Sequence, residues 1–476
     1  MGWTSQETGN WQAVTSRTTT NMDSGRGRAI IEGLLVGSAL GRPANGLRRG
    51  HLQQALGGPL TGFLANPAIF PDRPERNMLP GLHGVNGQMV FAALALREAD
   101  ETERSPVARV GARLQEFAGA DDAEPGVLRA PGGPLRDAII RWRSDYPWEE
   151  HDFFARTQRS EGLSAAAMAL VPVALGIDNA PEVAARLARL THARLLPVSA
   201  AFAVAKVGAL LVGGGKRIDA CGIVQELIAA LAQFETTFVE QHCREWEDLG
   251  WEEKPPRLSA ALGPLASLLR EENDALAEKT IISGAASLQP VQEVTRVQNG
   301  FIGTAIPWLL YHALAGKSPC NTMEIILNGG GETSALASLL AGLLLCRYER
   351  EFLPDEWFAG TLALPLMYRC LDGDSSAGDV AAAEAAWNAK EEALRQPLRR
   401  ALDKEAENRT QNDKSKAKSR VEDDQDEAKF APPPHLWLKP GEEEDPEKKR
   451  ILKEARGKRR IDWKESRRRD ERDRRH

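Results

Sequence analysis

The 476-residue chain lacks closely spaced cysteines. Its five, Cys221, Cys243, Cys320, Cys346 and Cys370, are odd in number and widely separated, with no Cys-x-x-Cys. That pattern excludes a disulfide framework and a cysteine-based zinc site, and fits reduced thiols in a cytosolic setting. No run of 18 apolar residues occurs. Residues 198–213 come closest, but they include Lys206 and are rich in alanine, so a buried helix is expected rather than a membrane span. The first 28 residues are polar and carry no apolar stretch of signal-peptide length. The expectation is a soluble cytoplasmic protein without a membrane partner. An overall excess of basic charge is also missing: the net charge is −6, which gives no global reason to bind nucleic acid. Strand-like alternation and fixed-period repeats are absent as well.

What the chain does contain is alanine and leucine. These dominate an apolar content of 42%, and both lose little side-chain freedom in a helix. Apolar periodicity predicts helices over residues 29–40, 88–103, 106–117, 134–144, 164–175 and 181–192, the last capped by Asp178 or Asn179. Further helices are predicted over 197–211, 218–234, 236–247, 258–269, 301–314, 322–327, 334–347 and 376–406. The 334–347 helix is apolar nearly all round and belongs at the centre of a bundle. Residues 42–87, rich in Gly and Pro, read as loop with short helical turns.

The fold class is therefore all-α. Residues 1–28 are expected to be disordered, 29–402 to form one helical domain, and 403–476 to be a charged, mostly disordered tail. The tail has too little apolar area to offset its ordering entropy, apart from a solvated helix near 446–460. From Lys448 onward it carries 15 Lys and Arg against 6 Asp and Glu, a net of +9.

Four segments carry chemistry-bearing patterns. The first is Gly33-Leu-Leu-Val-Gly37-Ser38-Ala39-Leu40-Gly41-Arg42-Pro43, a helix with small residues every four positions, which lets another helix approach closely. The second is Gly84-Val85-Asn86-Gly87-Gln88-Met89, leading into a helix. The third runs from Gly162 to Pro172 through Met168, with Thr191-His192 following. The fourth is Gly329-Gly330-Gly331-Glu332-Thr333-Ser334-Ala335, again opening a helix.

In order, spacing and helical context, residues 30–345 resemble the ADP-ribosylglycohydrolase family. Its signatures read GxxxGDALGxP, TDDTQM, GxGAAMRxxP, Thr-His and GGDTDT. The resemblance implies a compact orthogonal multi-helix bundle with two magnesium ions held between the TDDTQM and GGDTDT turns. There they would bind ribose hydroxyls and a water, and help to cleave the bond at the ribose anomeric carbon. In this chain Ser38 stands in place of the first Asp. Gly84, Val85, Asn86 and Gly87 replace Thr-Asp-Asp-Thr, and Ala169 replaces the Arg. Glu332, Ser334 and Ala335 replace the Asp, Asp and Thr of the last motif. Magnesium needs oxygen ligands, preferably anionic, and Glu332 is the one carboxylate left.

The expectation is a catalytically degenerate member, a pseudoenzyme that binds an ADP-ribose-like molecule, an ADP-ribosylated protein or another protein partner. No cofactor is expected, with magnesium only if Asn86, Glu332 and Ser334 retain a site. The ligand-binding candidates are Ser38, Asn86, Gly330, Gly331, Thr333 and Ser334. The three-glycine turn before a helix suggests a phosphate cradle, or simply a tight turn. An alternative is an active hydrolase with a rebuilt site and Glu332 as its catalytic base. A further alternative is a nucleic-acid- or ribosome-associated protein acting through Lys458, Arg459, Arg460, Lys464 and Arg467–Arg469 of the tail. Minor candidates are His83 and His192 as acid or base, Cys243 beside His242 as nucleophile, Trp308 as an adenine platform, and a charged substrate loop over 145–152.

Overall fold

The computed structural model describes residues 24–64, 70, 72–98, 105–120, 126–142, 161–214, 219–248, 255–288, 293–429 and 450. The chain divides into two compact units, Met1–Pro397 and Leu398–His476. Among the described residues there is no strand, only isolated antiparallel bridges pairing Arg48 with Gly330 and Gly162 with Phe301. The fold is all-α.

Two helices set the frame: α1 (Ser24–Gly41) and, much later, Thr333–Arg347. They lie along each other because Gly33, Gly37 and Gly41 put bare backbone on one face of α1. A Cβ at Gly37 would fall 2.0 Å from the Ala337 carbonyl oxygen, and one at Gly41 would fall 2.4 Å from that of Thr333. Backbone meets backbone here, so no other residue type fits. The contact fixes the C-terminal end of α1 beside the start of the partner helix, where the second and fourth sequence segments also converge.

In chain order the other elements used below are α2 (Val85–Ala93), α3 (Leu195–Gly213), α4 (Ile302–Leu314), α5 (Thr333–Arg347) and α6 (Ala377–Lys429). Helix α3 is long and apolar enough to cross a membrane by length and composition, and most of it is buried inside the bundle. Helix α5 is buried from Thr333 to Cys346, the central position its uniform apolarity predicts.

Several boundaries depart from the periodicity. The helices expected over 218–234 and 236–247 are one continuous element, Ala220–Asp248. The 258–269 helix is broken at Gly263-Pro264 into Leu258–Ala261 and Leu265–Glu271, as a proline without an N–H requires. Helix α2 tightens after Ala93 into a 3-10 turn, Leu94–Arg97. Asn179 sits at the start of Ala180–Arg189 but makes no side-chain cap.

The helix expected to end near residue 406 runs on to Lys429. Its added residues are mostly Ala, Glu, Lys, Arg and Gln, strong helix formers that need little packing; Glu405 and Arg409 form an i, i+4 ion pair within it. Helices Arg49–Leu56, Asp274–Ala285 and Leu364–Asp372 lie outside the predicted set. The second begins at Asn273, whose side chain caps the Leu276 N–H at 3.1 Å.

Candidate functional site

A cavity of about 1250 Å³ opens where the starts of α2 and α5 meet, and Gly84, Val85, Asn86, Glu332, Ser334 and Ala335 all line it. The two turns that the sequence separates by some 250 residues therefore share one wall. Ser38 lies just beneath them, fully buried. Its Oγ is 3.4 Å from Ser334 Oγ and accepts the Gly84 N–H at 3.3 Å. Ser334 Oγ also donates to the Ser38 carbonyl at 3.2 Å, and Thr333 Oγ1 donates to the Gly41 carbonyl at 2.8 Å. These hydroxyls are engaged with the protein itself, tying α1 to α5.

Glu332 occupies a notch beside Gly300. A Cβ there would sit 2.8 Å from Glu332 Cγ, and Gly300 also has a positive φ of 90°. Burial pushes the Glu332 carboxyl above the usual carboxylate range, opposed in part by a hydrogen bond from the Asn45 side chain. Asn86 has no side-chain hydrogen bond to a described residue, and Val85 presents an apolar face. Among the described residues no three His, Cys, Asp or Glu side chains come together as a metal-binding group. Two magnesium ions bring four positive charges and require several anionic oxygens. Two mutually bonded hydroxyls, one amide and one acid whose burial favours its neutral form do not fit that demand.

The glycine turn does not act as an open phosphate cradle. Gly330 and Gly331 both have positive φ, and a Cβ on them would strike the Leu47 carbonyl oxygen at 2.5 Å and that of Gln298 at 1.8 Å. The donors are also taken: Gly331 N–H goes to the Leu47 carbonyl at 2.8 Å, and Glu332 N–H to that of Gln298 at 3.0 Å. Thr333 N–H reaches the Gly331 carbonyl at 2.9 Å, and Ser334 N–H reaches Asn45 Oδ1 at 3.1 Å. The glycines serve close backbone packing. Gly330, Gly331 and Thr333 thus shape the wall from behind, whereas Asn86, Glu332 and Ser334 face the cavity.

A further part of the lining belongs to none of the four sequence segments. Helix α6 contributes Asn388, Glu391, Glu392 and Arg395 to it. Glu391 receives a bidentate ion pair from Arg42 at 2.6 and 2.8 Å, a second from Arg395 at 3.0 Å, and the Leu79 N–H at 3.0 Å. Burial alone would raise its pKa, but Arg42, the Leu79 amide and Arg395 hold it below the usual range.

Two turns earlier, Glu384 is fully buried. Its Oε2 lies 2.5 Å from Arg129 Nη1 and 2.8 Å from Gln88 Nε2, and its Oε1 lies 2.9 Å from His83 Nε2. Burial again works against ionisation, and His83, Arg129 and Gln88 overcome it to hold the carboxyl low. Gln88, which matches the family motif, also accepts the Arg129 N–H at 2.8 Å. The signal in the sequence is the spacing of Glu384, Asn388, Glu391 and Arg395, one helical face within a polar composition.

Gly87 belongs to this network. A Cβ there would meet His83 Cδ2 at 2.2 Å. Loss of the family's threonine is therefore the condition for His83 to lie where it does, packed against Phe91 and Trp387 and paired with Glu384. Burial lowers the His83 pKa, and the ring is neutral beside an ionised Glu384.

His83 and His192 are both fully buried and neither lines the cavity. Burial lowers His192 to a pKa of about 3, with Nδ1 held by Thr191 Oγ1 at 2.8 Å. Trp308 is not an adenine platform: it is core, stacked on Tyr311 and edge-on to His312 within α4. Its Nε1 donates to the Gln298 side-chain oxygen at 3.3 Å when that amide is oriented by its hydrogen bonds. His242 lies 3.2 Å from Arg189 Nη1. The Cys243 side chain, the 145–152 loop and the basic tail from 451 onward lie outside the described residues.

Against known proteins, residues 19–390 match the family model described as ADP-ribosylglycohydrolase. A solved structure described as an ADP-ribosylglycohydrolase-related protein complex is similar over 74% of this chain and 97% of that one, at 15% identity and a TM-score of 0.47. No curated protein matches.

Proposed function

The chain belongs to the ADP-ribosylglycohydrolase family, and from that premise we propose that it binds an ADP-ribose-like ligand without magnesium and does not hydrolyse it. One observation carries this reading: the family's metal-bearing turns share a cavity wall, but present hydroxyls, an amide and Glu332 instead of a carboxylate cluster. A cavity of about 1250 Å³ is ample for a nucleotide-sized molecule, since ligand pockets typically run from about 300 to 1,000 Å³. Apolar surface from Phe301, Met78 and Leu128 supplies a place for a base, and Asn86 and Ser334 offer polar atoms to a sugar.

The residues also bear on catalysis. Without metal, attack on the anomeric carbon needs a base to take a proton from water. Glu332 is the one carboxyl at the mapped positions, its pKa raised by burial, and no second carboxyl stands at those positions to protonate the leaving group. Calorimetric titration with ADP-ribose, in EDTA and in magnesium, tests the proposal. Equal binding in both, with no ADP-ribose released from a modified peptide, is the expected result. Magnesium-dependent binding sinks it, and so does turnover lost in Glu332→Ala.

A further inference from the structure

We propose that Arg76 is the anion anchor of this cavity, binding the phosphate or diphosphate of a phosphorylated ribose and supplying the positive charge that metal ions would otherwise bring. The inference deepens the function proposed above and rests on it for the identity of the pocket.

Charge pairing around the cavity singles out this residue. Among the arginines lining it, Arg42 and Arg395 are paired with Glu391, Arg129 with Glu384 and Arg194 with Glu161. Arg76 alone has no ion pair with any described carboxylate. Its hydrogen bond runs from Nη1 to the main-chain carbonyl of Asn45 at 2.8 Å. A guanidinium carries five N–H donors in a planar fork, so one neutral acceptor leaves most of that capacity open. The group is only partly exposed, and a cation drawn out of water is costly unless an anion accompanies it. Burial and the neighbouring Arg73 both act against its charged form, and Glu75 offsets them only in part.

Position adds the second argument. The Asn45 carbonyl receives Arg76, while the Asn45 side chain accepts the Ser334 N–H at 3.1 Å and hydrogen-bonds Glu332. One residue thus links the guanidinium to both Glu332 and Ser334. Beside it the backbone of Gly46 is bare, its absent Cβ 3.5 Å from Arg76 Nη2, which keeps that side of the fork uncovered by a side chain. A sugar hydroxyl at Asn86 or Ser334 and a phosphate at Arg76 can belong to one molecule. Bidentate contact with phosphate oxygens is the geometry the guanidinium is built for.

The test is calorimetry in EDTA on the full chain with ADP-ribose, ribose 5-phosphate and adenosine, comparing wild type with Arg76→Gln, Arg76→Lys and Arg73→Gln. For Arg76→Gln the expected loss is about 10- to 100-fold for both phosphorylated ligands, the range for a hydrogen bond to a charged group, with adenosine unchanged. Arg76→Lys keeps the charge without the fork and should fall between. Arg73→Gln, at an exposed neighbour that acts on Arg76 but does not line the cavity, should cost far less than Arg76→Gln. Equal phosphate affinity in wild type and Arg76→Gln overturns the inference while leaving the proposed function intact, as does an equal loss in Arg73→Gln. Binding of ribose 5-phosphate through Arg76 without any binding of ADP-ribose supports the anchor and removes the proposed ligand. Wild type that binds neither phosphorylated ligand overturns both. Should Arg76→Gln fail to fold, phenylglyoxal labelling of wild type serves instead: ribose 5-phosphate should protect Arg76 from modification, and unprotected labelling overturns the inference.

Discussion

Restoring the family's residue at position 87 should damage this protein. In Gly87→Thr the new Cβ falls 2.2 Å from His83 Cδ2 and 2.5 Å from Cγ. Ordinary contact needs roughly 3.5 Å, so the ring must retreat by roughly 1 Å. It has little room, since Phe91 and Trp387 pack against it and Glu384 holds Nε2 at 2.9 Å. A shift of that size breaks the Glu384 contact. Overpacking costs about 1–3 kcal/mol, and displacing the ring from the ionised Glu384, which keeps Arg129 and Gln88, adds to it. The total expected is about 3 kcal/mol. Urea denaturation should show a lower midpoint with an unchanged slope. In a His83→Ala background the same substitution should cost less than about 1 kcal/mol, because the clashing ring is gone. A Gly87→Thr protein within about 0.5 kcal/mol of wild type refutes the account, as does a penalty that persists without His83.

Other consequences can be checked in the same way. Gly37→Ala should destabilise by about 3 kcal/mol or more in denaturant melts, because its Cβ meets rigid backbone at Ala337 rather than a movable side chain. Glu391→Gln strips the anion from Arg42 and Arg395 and should cost about 3–5 kcal/mol, the usual result of leaving a buried charge unpaired. Glu384 and Glu391 are held below their unfolded values. The stability they confer is therefore complete above the ordinary carboxylate range and is lost as pH falls through their lower folded values. His192 and His312 have folded pKa values of about 3 and about 4, so stability falls as pH drops below about 6.5, where only the unfolded chain takes up the proton. Imidazole nitrogen shifts of both residues should stay those of neutral rings from about pH 8 down to about pH 5.

Much of this architecture is written locally. The small residues at positions 33, 37 and 41 announce close helix packing, and their partner is the helix whose all-round apolarity places it at the centre. The convergence of positions 38, 84–87 and 332–335 is what the family resemblance implies, and the cavity lies there. The glycine turn misleads because free N–H groups cannot be counted without knowing what packs on them, and the acceptors come from Leu47, Gln298 and Asn45, outside the turn itself. The charged wall is hidden for a related reason. Glu384 and Glu391 sit on a helix whose composition is that of a solvated one. Only the tertiary approach of Arg42, Arg129 and His83 turns those carboxylates into buried partners. The extension of α6 past residue 406 is polar in sequence, so apolar periodicity gives no mark of where that helix ends.

Counting bound manganese most directly tests the claim that neutral groups have replaced the metal-binding ones. Electron paramagnetic resonance reports free manganese, so titrating the protein at millimolar ion gives the number of ions held per chain. The account predicts no stoichiometric binding, with or without ADP-ribose present. Two ions held per chain, displaced by magnesium and lost in Glu332→Ala, would contradict it.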